Sequence, residues 1–186
     1  MTVAKGQGAI RDGGEQGLAV VLVLRGSAER RQVGRAVDVG IEIRNEGKDV
    51  VWFVGAVDGS EEGVRYPHYR PTITRDGTVV AAPPRPEDPL VGPMRAADFR
   101  GLRPGESFDP TRGGAAAYHP LATFATFRPS EPGFYRYLLT ISTVSTRPEE
   151  WLGAFGQDAE RAAVLDLIAR VPRLEITSNV LEVDVR

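Results

Sequence analysis

The side chains able to do covalent chemistry are few and scattered. The chain carries two histidines and no cysteine among its 186 residues. A thiolate nucleophile, a disulfide framework and a cysteine metal site are therefore excluded. An imidazole base or a two-histidine metal centre would have to use His68 and His119, with Asp98 or Asp109 completing a ligand set. Those two histidines lie far apart and form no metal-ligand spacing. Ser107, Ser130, Ser142 and Ser145 are available, but none sits in a Gly-x-Ser-x-Gly elbow. Gly6-Gln7-Gly8 and Gly13-Gly14 precede no strand–helix unit and no phosphate-loop lysine. Glu61-Glu62 reads as a solvated loop, and Glu149-Glu150 as acids in the first turn of a helix. The expectation is a protein that is not an enzyme and holds no metal or cofactor.

Binding chemistry has better candidates. Arg65-Tyr66-Pro67-His68-Tyr69-Arg70 gathers aromatic rings, an imidazole and guanidinium groups on one loop. Such a loop suits stacking on a sugar or bidentate capture of a carboxylate. It equally suits packing, with Tyr rings over the core and Arg heads in water. Trp151, Leu152 and Phe155 bring much apolar area to a short element, either as a partner surface or as a cap on the end of a sheet. The residues expected to contact a ligand or partner are thus Tyr66, His68, Tyr69, Arg70, Trp151 and Phe155. Tyr118-His119-Pro120 is a further aromatic loop. The expected function is a binding or protein-interaction module. One alternative is a carbohydrate-binding module stacking sugars on Trp52, Tyr66, Tyr69 or Tyr118. Another is a protease-inhibitor-like sandwich presenting the stiff Pro-rich loop 83–93.

The elements that must position these residues are mostly strands. Val37, Val39, Ile41 and Ile43 alternate with polar residues and predict a strand, closed by a hairpin turn at Asn45-Glu46-Gly47. A return strand over 49–56 follows, with Trp52 filling the space between two sheets. The prolines at 67 and 71 argue against a central strand there. Asp76-Gly77 is a strong hairpin signal, and Pro104-Gly105 a turn. Residues 121–127 read as extended. Tyr135, Tyr137, Leu139 and Ile141 share one face of a long strand over 134–145. The period then changes. Thr146 to Glu149 fits a capping box, and Asp158 can cap a helix whose Val164, Leu167, Ile168 and Val171 form one apolar stripe before Pro172. Leu181, Val183 and Val185 alternate in a last strand.

The alternating strand closing on Arg44-Asn45-Glu46-Gly47, the turn Leu102-Arg103-Pro104-Gly105-Glu106, Pro132-Gly133-Phe134-Tyr135-Arg136-Tyr137 and Ser178-Asn179-Val180 together resemble the immunoglobulin-like (fibronectin-III-like) sandwiches common in bacterial proteins. The resemblance implies a mainly β fold, an antiparallel sandwich of about seven to nine strands. It transfers no catalytic residue. The helical region, about 147–171 and placed before the last strand, is an insertion into that plan. Residues 1–16 read as a flexible tail and 17–186 as one domain carrying the insertion.

Bulk properties narrow the partners. A formal net charge of -2 provides no basic field for nucleic acid or an anionic membrane. No apolar run approaches the roughly 20 residues of a membrane-spanning helix. A protein partner or a glycan remains. The N-terminal stretch lacks the apolar core of a signal peptide, so the default expectation is cytoplasmic, or exported if a leader was removed.

Overall fold

The computed structural model describes residues 20–26, 31–83, 85–86, 90–112 and 121–186. The expected tail, Tyr118-His119-Pro120 and part of the Pro-rich loop lie outside them. Ten strands and two α-helices are found among the described residues. In chain order they are β1 (Val20–Gly26), β2 (Val39–Asn45), β3 (Val51–Val54), β4 (His68–Arg75), β5 (Thr78–Ala81), β6 (Phe99–Leu102), β7 (Ser107–Phe108), α1 (Ala122–Thr126), β8 (Gly133–Ser142), α2 (Arg161–Arg170), β9 (Glu175–Thr177) and β10 (Leu181–Val185). Short 3-10 turns form at Ala96–Asp98, Pro148–Glu150 and Asp158–Glu160. The fold is mainly β, as expected. No helix in the described residues is long and apolar enough to cross a membrane.

The strands pair antiparallel in three sheets. One sheet has the order β1-β2-β7, and β3-β6 forms a two-stranded ribbon. The third runs β10-β8-β4-β5 with β9 also on β8. Alternation explains the core between the sheets. Tyr135, Tyr137, Leu139 and Ile141 of β8 point inward and meet Ile41 and Ile43 of β2 in one buried cluster. The Tyr135 hydroxyl donates to the Glu131 carbonyl (2.8 Å), anchoring the start of β8 to the chain just before it.

The ribbon is a shared wall. Val51 and Phe53 of β3 enter the main core, whereas Val54 enters a second buried cluster and Trp52 packs against it. That second cluster gathers Met94, Phe99, Trp151 and Leu152 with Val164, Ile168 and Val171 from α2 and its end. The expected apolar stripe on the helix is what holds it there. Trp52 therefore does not fill the space between the two main sheets. Phe53, its neighbour of opposite parity, does.

Local turn chemistry acts as expected at two places. Asp76 (φ 51°) and Gly77 (φ 82°) both adopt the left-handed region and join β4 to β5 as a two-residue type I′ hairpin. Pro104 and Gly105 (φ 80°) form a type II turn closed by the Glu106 N–H on the Arg103 carbonyl (3.0 Å).

Four expectations need correction. Asn45-Glu46-Gly47 does not close a hairpin, because β2 pairs with β1 and β7 while β3 pairs with β6. The Asn45 side chain causes the crossing. Its Nδ2 donates to the carbonyls of Asp49 (2.7 Å) and Leu102 (2.9 Å), and its Oδ1 accepts from the Gly47 N–H (2.9 Å). Its backbone N–H and carbonyl are taken by Glu106 and Gly105.

The segment with prolines 67 and 71 is a central strand after all. Opposite Pro71, Leu139 turns both its N–H and its carbonyl away from β4, to Ser178. Pro71 would thus direct its missing N–H to the other side, where β5 pairs only from Ile73 onward. Residues 122–126 are helical and not extended. Both oxygens of Glu61 accept the free N–H groups of Ala122 (2.6 Å) and Thr123 (2.8 Å), satisfying the start of the helix from a distant loop. The helical region has no capping box at Thr146. Ser145 takes that place, accepting from the Arg147 N–H (3.1 Å), and two strands follow the region where one was expected.

Asn45 sits fully buried at the junction of β2, β3 and β6. Asn45→Ala strands the carbonyls of Asp49 and Leu102 and is expected to cost about 3 kcal/mol in urea unfolding, several times the effect of a surface change such as Phe134→Ala. Equal stabilities of the two variants would contradict the assigned role.

Candidate functional site

The loop expected to bind is built largely as a structural brace. Arg65 is only 3% exposed and donates to the carbonyls of Asp58 (2.7 Å, through Nε) and Gly92 (2.8 Å, through Nη1). The chain then passes a cis Tyr66–Pro67 peptide. Tyr69 is completely buried, and its hydroxyl donates to the Val54 carbonyl (2.6 Å), tying β4 to the ribbon. Trp151 is also completely buried. Its Nε1 donates to the Ser145 carbonyl (3.1 Å), and the Arg173 guanidinium lies 4.8 Å from its ring centroid. Tyr69 and Trp151 are core residues in this fold, and neither presents a ring to solvent.

Arg70 is exposed, and Tyr66 and His68 are half-buried. The structure brings this loop and the helical region together: Tyr66 stacks on His68 (3.9 Å between centroids, 21° between planes) and tilts against Trp151 (5.6 Å). Phe155 stays 58% exposed on a separate turn, where the neighbouring Ala154 N–H bonds to the Val91 carbonyl. Arg70 reaches the Nδ1 of His68 (3.2 Å) and pairs with Glu175 (3.8 Å). A guanidinium can only donate, so Nδ1 accepts and the imidazole is neutral with its proton on Nε2. Burial first, then the Arg70 charge, push the His68 pKa below its usual value, while Glu150 pulls it up. Glu150 is itself engaged by the Ser145 hydroxyl and Arg147. His119 lies outside the described residues, and among those described no group of three His, Asp or Glu side chains could hold a metal.

A concave surface lies elsewhere on the molecule. A cleft of about 290 Å³ opens beside the ribbon, lined by Trp52, Asp98, Phe99, Arg100, Phe108 and Arg112 with the backbone around Gly55 and Ala56. Backbone pairing fixes its floor. The Gly55 N–H bonds to the Asp98 carbonyl (3.0 Å), and the Ala56 N–H to the Pro110 carbonyl (2.9 Å). Trp52 faces Gly101 across the ribbon. A Cβ on Gly101 would stand 3.3 Å from the benzo ring of Trp52, so glycine is what lets the indole lie down on the neighbouring strand. The Arg170 guanidinium sits over the ring, 5.5 Å from its centroid. The indole is therefore held between the Gly101 backbone and the Arg170 guanidinium.

Charges in the cleft are unevenly committed. Asp98 accepts the Arg95 N–H (2.8 Å). Asp109, at the rim, accepts from the Thr111 N–H (2.8 Å) and hydroxyl (2.6 Å) and pairs with Arg112 (3.2 Å). Arg100 is exposed and has no ion pair among the described residues. The sequence offered one pointer to this place: a glycine inside the segment Phe99-Arg100-Gly101-Leu102, which the structure sets opposite Trp52. The register that joins the two was not legible.

The aromatic platforms named for sugar stacking are largely occupied. Arg170 covers a face of Trp52, His68 covers Tyr66, and Tyr69 is buried. Tyr118 lies outside the described residues.

The His68 geometry sets a pH dependence. The imidazole has a lower pKa folded than unfolded, so the unfolded chain binds more protons near its ordinary value of about 6.5. Stability is then complete above that pH and is lost as pH falls through it toward the folded value. Urea unfolding from pH 8 to 5 is expected to show this loss, reduced in His68→Gln; identical pH profiles for the two proteins would contradict it. Comparison with known protein families, curated proteins and solved structures finds no match for this chain.

Proposed function

We propose that this protein is a non-enzymatic binding module on an immunoglobulin-like sandwich, with the cleft beside the β3–β6 ribbon as its recognition surface. The observation that carries this reading is the preset indole: Trp52 is positioned by Gly101 and Arg170 at the mouth of a cleft whose floor is hydrogen-bonded backbone. Rigid, pre-positioned aromatic contacts lose little conformational entropy on binding. The volume is at the small end of ligand sites, which fits a small molecule or one side chain of a partner. The immunoglobulin-like assignment is supported by the two larger antiparallel sheets, which face each other across the main core, and by the Tyr135 hydroxyl returning to Glu131 at the start of β8. The non-enzymatic reading is supported by the site's chemistry. Its carboxylate Asp98 serves a backbone N–H, and among the described residues no nucleophile–base pair lines the cleft.

Ala97 lines the cleft from an exposed position, so Ala97→Trp fills it without touching the core. A saturation-transfer NMR screen of short peptides, sugars and small organic acids is expected to find ligands of the native protein that Ala97→Trp binds at least about tenfold more weakly. Ligands bound equally by both proteins would place recognition elsewhere, and chemical conversion of a bound compound would refute the non-enzymatic reading.

A further inference from the structure

Donors and acceptors in the cleft are out of balance, and the imbalance names a ligand. Asp98 accepts a backbone N–H through one oxygen and the rim carboxylate Asp109 is engaged by Thr111 and Arg112, so two carboxylates stand against the guanidinium groups of Arg100, Arg112 and Arg170. The donors are less engaged. The Trp52 indole N–H and the Arg100 guanidinium have no hydrogen-bond acceptor among the described residues, and Arg112 is held on one side only. Arg170 adds a third positive group, over the indole. The apolar part of the lining comes from Trp52, Phe99 and Phe108.

We infer that the cleft takes a small ligand with an apolar or aromatic body and a carboxylate, the carboxylate meeting Arg100 and the body lying against Phe108 and the edge of the Trp52 indole, whose faces are taken by Gly101 and Arg170. This rests on the binding-module reading given above and adds the ligand class to it. A guanidinium presents parallel N–H groups that match the two oxygens of a carboxylate, whereas a cationic ligand would face Arg100, Arg112 and Arg170 together. A neutral ligand would gain the apolar contacts and leave the guanidinium unused. The exposed position of Arg100 on β6 means that it can be replaced without disturbing either core.

Titrating the full chain with benzoate, benzyl alcohol and benzamidine, followed by two-dimensional NMR, tests this directly. Benzoate is expected to shift the Trp52 indole and the Gly55 and Gly101 amides saturably. It should bind about tenfold more tightly than benzyl alcohol, and benzamidine should bind weakest. Added sodium chloride should weaken benzoate and leave benzyl alcohol unaffected. Arg100→Gln, checked by its spectrum to be folded, should erase most of benzoate's advantage while leaving benzyl alcohol binding unchanged. Binding of benzyl alcohol or benzamidine at these amides as tightly as benzoate would refute the acidic preference and leave the cleft as a binding site. An undiminished benzoate advantage in Arg100→Gln would also refute it. Failure of all three compounds to shift these amides would refute the ligand class and count against the cleft itself.

Discussion

The buried amide of Asn45 is the point on which the arrangement turns. A chain leaving β2 could fold back beside it as a simple hairpin. Instead the Asn45 side chain takes the carbonyls of Asp49 and Leu102 and the N–H of Gly47, so β3 is set down beside β6 and not beside β2. Its backbone groups join the same junction through Glu106 and Gly105. A buried polar group is tolerated only when its hydrogen bonds are made, and here they are made only if the stretches 45–49 and 102–106 meet. One side chain thereby fixes the ribbon that walls both cores and carries Trp52.

The second core is held by similar long-range ties. Gln157 is buried and uses its side-chain oxygen for the N–H groups of Met94 (2.8 Å) and Gly153 (3.0 Å), and its nitrogen for the Met94 carbonyl (2.8 Å). Arg65 binds two further loop carbonyls, and at the main core Glu61, buried and not solvated as its sequence suggested, caps α1. Each supplies a partner to backbone that no helix or sheet satisfies. The helical region and the connection after β5 are thus locked onto the ribbon by side-chain-to-backbone bonds over an apolar cluster centred on Trp151. Other buried groups are less well served. The Nε and Nη2 of Arg31 and the hydroxyl of Tyr137 are buried without a hydrogen-bond partner among the described residues, and burial, then Tyr135, drive the Tyr137 pKa upward. Unpaired buried donors oppose folding, and well-packed neighbours must offset them.

What was legible in the sequence was local. The alternation along β8, the Asp76-Gly77 hairpin, the Pro104-Gly105 turn and the apolar stripe of α2 depend on residues a few positions apart, and periodicity and turn chemistry report those. What was not legible depended on partners far along the chain. Pro71 is accommodated because Leu139 turns its hydrogen bonds elsewhere and β5 stops short. Residues 122–126 coil because Glu61 waits across the fold. Tyr69 and Trp151 carried the right chemistry for a binding surface, but the Val54 and Ser145 carbonyls and the two cores claim them. Trp52 stood out by residue type, yet the parity of β3 and the glycine opposite it decide which side it faces.

On the proposed reading, the ribbon presents a preset cleft to a ligand. A crystal structure of the protein grown with benzoate tests it most directly. The account predicts the ligand ring against Phe108 and the edge of the Trp52 indole, with its carboxylate within hydrogen-bonding distance of Arg100. A cleft free of ligand, with benzoate bound on another face, would contradict it.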